Sequence, residues 1–303
     1  MRTKTIIIFP YSGYKAGDKR EVLFWDIVEC CRKNAVDEKP VVVLNMDTER
    51  SGNAVDFLKD IRSKSNVEIH RVWSVDTCQM WLSGWGYVID KHKKYSRIVQ
   101  LPGDIDSVAN TKEFFNNLGG FIALGEPYDF IIGDFSSGEM FNAKDLIDTY
   151  GTYPLLANWF PEITQRILQL PLKKPRSEFL NMRIDKLCLL LQGRKFAYEQ
   201  TVNMLIHSWD SNKKDWIFKI RPFALGDLMD DSSLRKFKDC LDQIERMERM
   251  LKLLWREINE PKNQLKYDSF LNRYNELDKR STAIRENSRI IIRNLLSIQF
   301  TEA

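Results

Sequence analysis

Histidine is scarce in this 303-residue chain: three copies, at positions 70, 92 and 207. Three histidines give no Ser/His/Asp constellation, which sets aside hydrolysis by an activated serine. Cysteine is sparse as well. Cys30 and Cys31 are adjacent, and Cys78, Cys188 and Cys240 stand alone. No C-x-x-C or Cys/His spacing points to zinc, and an odd, scattered set reads as reduced thiols in a cytoplasmic protein. Long apolar runs are missing too. The longest, such as 5–9 and 187–191, are far too short to cross a bilayer. Arg2 and Lys4 precede only a short apolar run with no small-residue cleavage site after it, so no signal peptide is expected. Nucleic-acid binding is disfavoured because no RNP, helix-turn-helix or zinc pattern occurs.

What is present is ordinary core material. Apolar residues make up 43% of the chain and the mean hydropathy is −0.39. That suits one large domain or two ordinary ones. The net charge of +4 is unevenly spread. Residues 1–170 carry 20 Lys and Arg against 23 Asp and Glu, whereas residues 171–221 carry 11 against 5. Such a basic segment is either a solvated face or a set of cations facing an anionic ligand.

The first 135 residues alternate strand and helix signals. Strands are expected at "KTIIIFP" (4–10), "PVVVLNMD" (40–47), "VEIHRVWSV" (67–75), "SRIVQLP" (96–102) and "YDFIIGDF" (128–135). Helical spacing occupies 21–33, 51–64, a Trp-rich stretch to about 93, and 111–124. This alternation implies a mainly parallel sheet with helices on both faces. From about 228 the pattern becomes purely helical. Leu234, Phe237, Leu241, Ile244, Leu251, Trp255 and Ile258 recur at three- and four-residue steps, with a gap at Glu248. After "NEPKN" the stepping resumes at Phe270, Tyr274, Leu277, Ile284, Ile291, Leu295 and Ile298, with Ser281 and Ser288 as gaps. Two long helices forming an antiparallel hairpin are expected, docked on the α/β part or pairing two copies in a homodimer. The expected division is therefore an α/β domain over 1–227 and a helical hairpin over 228–303.

In open parallel sheets ligands gather beyond the carboxyl ends of the strands. Asp104, Asp106 and Asp134 fall near such ends, as does the loop "PYSGYKAGDKR" (10–20). Two carboxylates spaced Asp-x-Asp repel one another unless water or a cation separates them. They can hold Mg²⁺ or Mn²⁺, hard cations that favour oxygen ligands. A cation so placed can bridge the phosphates of a nucleoside diphosphate, with lysines and arginines of 171–221 assisting. The alternative is that Asp104 and Asp106 only shape a Gly-containing turn. Asp134 reads as a cap on the turn after its strand.

Three segments in order, "YDFIIGDFSSG" (128–138), "YPLLANWFPEITQRILQLPLKKPRSEFL" (153–180) and "RKFAYEQTVNMLIHSW" (194–209), carry a resemblance. Over roughly 96–225 the chain resembles the GT-A-fold retaining glycosyltransferases that include mannosylglycerate synthase and glucosyl phosphoglycerate synthase. The resemblance implies a GT-A sheet and transfer of a hexose from a nucleotide-diphosphate sugar to a small hydroxylated or phosphorylated acceptor, with Mg²⁺ or Mn²⁺. It implies Asp104 and Asp106 as the metal-binding pair, presented by Pro102 and Gly103, and Tyr11 and Ser12 beside the nucleotide base. It implies Glu199 near the reaction centre, and Lys174 and Arg176 near donor or acceptor groups. Glu199 at a helix start can also simply offset the helix dipole, and Lys174 and Arg176 can be solvated loop cations.

The chain departs from the family pattern in two places. "FPYSGYKAGDK" keeps the proline after the first strand but not the acid that follows it in the family. Where the family places a metal-binding histidine after an arginine, Arg221 is followed by Pro222 and Phe223. His207 is the candidate substitute, and its position on a helical apolar stripe equally suits a packing residue. Two rivals follow: a catalytically silent nucleotide-sugar-binding or assembly protein of the same fold, and a sugar nucleotidyltransferase. The second is disfavoured because the loop after the first strand lacks a Gly-rich run to cradle a triphosphate.

Overall fold

The computed structural model describes residues 2–9, 19–34, 39–45, 67–72, 77–102, 112–137, 143–172, 175–192, 199–210, 216–225 and 233–298. The chain divides into two compact units. One comprises Met1–Gly138, Ser177–Arg194 and Asp215–Leu228; the other comprises Glu139–Arg176, Lys195–Lys214 and Met229–Ala303. The last crossing falls between Leu228 and Met229. Two earlier segments also join the helical unit, so the hairpin shares its core with residues 139–176 and 195–214.

The first unit is built on a seven-stranded sheet. Its strands are β1 (Thr3–Phe9), β2 (Val41–Asn45), β3 (Glu68–Val72), β4 (Arg97–Pro102), β5 (Phe130–Ser137), β6 (Leu180–Arg183) and β7 (Phe218–Leu225). They lie in the order β3-β2-β1-β4-β6-β5-β7, and β6 alone runs antiparallel to its neighbours. β-Branched runs such as Ile6–Ile8 and Val41–Val43 suit strands buried on both faces.

The register sorts those side chains onto two faces, because successive side chains alternate. Ile7, Val42, Val99 and Leu101 form one core with α1 (Lys19–Asn34), and with Phe114, Leu118 and Phe121 of a later helix, Lys112–Ala123. The opposite face receives α2 (Thr77–Lys91), the expected Trp-rich helix. Trp81 and Trp85 are fully buried there, and Trp85 Nε1 donates to Gln100 Oε1 at 2.8 Å. Gly84 lets α2 approach β2 closely, since a Cβ there would meet Val43 Cγ2 at 2.9 Å. The Lys112–Ala123 helix is α3, so helices cover both faces as expected. The expected helix at 51–64 lies outside the described residues.

The second unit is helical. It contains α4 (Ala143–Ile147), a π-helical turn at Asp148–Thr152, α5 (Tyr153–Trp159) and α6 (Pro161–Gln169). Helix α7 (Ile184–Leu191) belongs to the sheet unit, and α8 (Gln200–Asp210) to the helical one. The hairpin is α9 (Ser233–Asn259) and α10 (Tyr267–Ile298). Trp255 stacks on Phe270 across it, with ring centroids 5.5 Å apart, and Trp159 of α5 meets Trp255 edge-on.

The hairpin corrects the expected stripe. The gaps Glu248, Ser281 and Ser288 are themselves buried, and they pair instead of facing water. Toward the end of α10 the buried line passes through Ser288, Ile292 and Leu296, while Ile291 is 38% exposed. A 3.5-residue repeat drifts about 20° per heptad against a straight helix. The core therefore picks up the next residue along.

Candidate functional site

The winding of the parallel strands reverses between β3 and β4. From β1 the chain moves outward through β2 to β3, then returns to place β4 on the other side of β1. The crevice beyond the carboxyl ends of β1 and β4 is thus the topological switch point, the usual ligand position in such sheets. β1 and β4 are parallel neighbours with Ile8 opposite Pro102. The loop after Phe9 and the loop after Pro102 therefore leave from adjacent strands, about 4.8 Å apart, at the same edge. Tyr11 and Ser12 belong to the first loop; Gly103, Asp104 and Asp106 belong to the second. All five lie outside the described residues, as does Lys174.

Local sequence explains why β4 delivers its loop there. Arg97–Pro102 is buried throughout, held between β1 and β6. Gln100 is fixed from both ends, accepting from Trp85 Nε1 and donating from Nε2 to the Glu178 carbonyl at 3.1 Å. At the strand's start, Arg97 donates to Asn181 Oδ1 at 2.8 Å and to the Tyr128 carbonyl at 2.7 Å. Burial lowers the Arg97 pKa to about 10, a sign of a structural cation deep in the fold.

Asp134 is not a cap beyond its strand. β5 continues to Ser137, so Asp134 sits inside it, 3% exposed, in register with Pro222 of β7. Arg221 is the neighbouring position, opposite Gly133, in the strand Phe218–Leu225.

The helical unit brings Arg176 and Glu199 into one electrostatic cluster. Arg176 Nε donates to Asp148 Oδ1 at 2.5 Å, and Arg176 Nη1 donates to Gln243 Oε1 at 2.5 Å. Burial works against the charge on Arg176, but Asp148 and Glu199 outweigh it and hold its pKa above the ordinary arginine value. Arg176 is therefore a fixed, permanently charged group, not a loop cation in water. Glu199 stands immediately before α8, where a carboxylate also complements the helix dipole, and its carbonyl accepts from Asn203 Nδ2 at 2.6 Å.

Asp148 and Gln243 are partners of Arg176 that sequence reasoning missed. Asp148 opens the π-helical turn, and such turns are rare and frequent at functional sites. Nothing in "LIDTYGTYP" announces it beyond Gly151, which must be small. A Cβ at Gly151 would lie 2.6 Å from Ile244 Cγ1 of α9.

His207 lies in α8 with no exposed surface, between the equally buried Ile206 and Ser208. Among the described residues no group of three or more His, Cys, Asp or Glu side chains is placed to hold a metal ion. No helix among the described residues is long and apolar enough to cross a membrane, and none of the five cysteines is in a disulfide.

No family model matches the chain, and no curated protein matches it either. Solved structures do. Glucosyl-3-phosphoglycerate synthase from Mycobacterium tuberculosis, in complex with Mn²⁺ and UDP-glucose, superposes with a TM-score of 0.52 at 16% identity. The match covers 87% of this chain and 81% of that one. The same enzyme with phosphoglyceric acid gives 0.53 at 15% identity, over 87% and 82%. This likeness shows the fold: α/β, GT-A-like, with a mainly parallel sheet.

Proposed function

We propose that the chain is a glycosyltransferase that moves a hexose from a nucleotide-diphosphate sugar to a small hydroxylated or phosphorylated acceptor, with retention at the anomeric carbon. The observation that carries this reading is the pairing of β1 with β4, which starts the Tyr11–Ser12 loop and the Asp104–Asp106 loop side by side at the switch point. The structural neighbours support it, since the synthase they represent was solved with Mn²⁺, UDP-glucose and phosphoglyceric acid.

The roles follow from the chemistry of each group. Asp104 and Asp106 would hold Mg²⁺ or Mn²⁺, for which two carboxylates are a fitting donor set. When bound, the ion supplies positive charge against the diphosphate. Tyr11 and Ser12 are proposed at the nucleotide base, Gly103 at the turn presenting the acids, and Lys174 toward the departing diphosphate. Arg176 is held by Asp148 and Gln243, which spares any reorientation when negative charge develops nearby. Glu199 is proposed near the reaction centre as a fixed negative charge facing an oxocarbenium-like sugar. The protein is proposed to be cytoplasmic. A homodimer through the hairpin is proposed from the exposed Ile290 and Ile291 of α10, and sedimentation velocity tests it.

Thermal shift against nucleoside diphosphates and nucleotide sugars, with and without Mn²⁺, tests the donor site. A ligand at about 100 times its Kd stabilises the fold by about 2.7 kcal/mol. One nucleotide should raise the melting temperature in a Mn²⁺-dependent way, and Asp104→Ala/Asp106→Ala should abolish the rise. Absence of any shift in folded protein rejects the donor site and favours an assembly protein. Transfer of labelled hexose from the nucleotide that binds then separates an active enzyme from a silent one.

A further inference from the structure

The amino-terminal edge of the sheet, opposite the loops after β1 and β4, carries a basic rim that the transfer reading does not use. All strands but β6 start at this edge, and β6 ends there. Backbone hydrogen bonds string these strand ends together. Ser96 N donates to the Arg2 carbonyl at 3.0 Å, and Ile184 N donates to the Ser96 carbonyl at 2.9 Å. Arg183 N donates to the Asp129 carbonyl at 2.9 Å, and Asp129 N to the Ile217 carbonyl at 2.8 Å. The rim is thus one continuous line across β1, β4, β6, β5 and β7.

Its carboxylates are already matched. Glu68 pairs with Lys4, Asp90 with Lys91, and Asp185 with Arg183, which Glu126 also approaches at 3.9 Å. The buried Asp129 lies between Arg183 and Lys186. Arg2, Lys93, Lys94 and Lys219 are exposed, and none of them pairs with a carboxylate among the described residues. The rim has a second regularity: three half-buried rings each carry a lysine over one face. Lys94 lies on Tyr95 at 5.4 Å, Lys186 on Trp216 at 5.5 Å and Lys219 on Tyr128 at 5.8 Å. Ile217, beside Trp216, is 46% exposed. Amphipathic rings, lysines and an exposed aliphatic side chain suit the boundary between lipid headgroups and acyl chains. A nucleic-acid strand would use open ring faces for stacking and arginine forks for phosphate. Here lysines already lie over the rings, and only one of the four unmatched cations is an arginine.

We infer that the amino-terminal rim docks the chain on an anionic lipid membrane, with Arg2, Lys93, Lys94 and Lys219 among the headgroups and Ile217 at the acyl boundary. The negative surface potential of such a bilayer attracts basic residues within about a Debye length. The loops after β1 and β4 leave from the opposite edge, so docking turns them away from the bilayer.

Flotation of the full chain with extruded vesicles tests the docking. Phosphatidylcholine vesicles containing about 30% phosphatidylserine should carry the protein, and pure phosphatidylcholine should not. Phosphatidylglycerol should replace the serine lipid without loss, and about 0.5 M salt should release most of the protein. Lys93→Gln/Lys94→Gln should weaken binding about 25-fold, since each cation near such a surface contributes about fivefold. Lys262→Gln/Lys266→Gln removes the same charge at exposed lysines of the hairpin unit and should leave binding unchanged. Ile217→Ser should weaken binding about threefold or more, with the salt dependence of wild type. Circular dichroism confirms that each variant folds. No binding to anionic vesicles, or equal losses from the two lysine pairs, overturns the rim. Tighter binding to duplex DNA or poly-glutamate through the same lysines assigns it to another polyanion and overturns the membrane as its partner. Because the assay contains no donor or metal, either result leaves the proposed transfer activity to its own experiment.

Discussion

Ser281 Oγ donates to Glu248 Oε1 at 3.0 Å, joining two of the three polar residues that interrupt the apolar stripes of the hairpin. Glu248 is 2% exposed, and Arg285 Nη1 and Lys252 Nζ each approach its carboxylate at 2.8 Å. Ser281 Oγ also accepts from Trp159 Nε1 at 3.2 Å. These two interruptions thus belong to one buried network, which fixes the register of α9 against α10.

Glu248→Ala should destabilise the protein by about 2–3 kcal/mol, since it strands Ser281 and two cations. Glu248→Gln should cost less, because it keeps an acceptor for Ser281. Lys252 and Arg285 retain some solvent access, which holds the penalty below that of a sealed pair. Urea unfolding gives the order, and equal losses for the two variants would refute the network.

The Arg176–Asp148 pair should show strong coupling. Arg176→Met leaves the Asp148 carboxylate, 4% exposed, without its guanidinium and should cost about 3–5 kcal/mol. Adding Asp148→Asn should recover part of that loss, with a coupling energy of about 1–3 kcal/mol. A double-mutant cycle by chemical denaturation measures it, and strict additivity would mean the pair contributes nothing specific.

Gly151→Ala should destabilise by about 1–3 kcal/mol through overpacking, because the new methyl group would press on the fully buried Ile244. Trimming the obstacle with Ile244→Val should make the double variant less destabilised than the two single losses combined. Thermal unfolding of the three variants checks this.

Acid should weaken the start of α7 in a defined direction. The hydrogen bond from Arg183 holds the Asp185 pKa below the ordinary carboxylate value, against the opposing effect of burial. A depressed folded pKa contributes stability that is present above the unfolded value of about 3.8–3.9 and is lost as pH falls through the folded one. Asp185→Asn should therefore cost stability at pH 6 and progressively less toward pH 3. Asp185 is more than half exposed, so the effect is small. A mutant–wild-type difference constant across that range would contradict the assignment.

The sequence alone determined the α/β alternation, the five strands from β1 to β5 and the two-helix hairpin. It also determined that acids and a glycine-containing loop follow strands. Those features are local: β-branched runs, proline and glycine stops, and three- and four-residue apolar steps act within a few residues. The antiparallel β6 and its insertion between β4 and β5 were not legible, because pairing partners are chosen by long-range packing. The same holds for the interleaving of the two units and for the Arg176–Asp148–Gln243 cluster, whose members are separated by 28 and 67 residues from Arg176. Glu248 and Ser281 make the point most plainly. Each is a polar break in its own helix, and only tertiary packing, which removes both from water at once, makes each the other's hydrogen-bond partner.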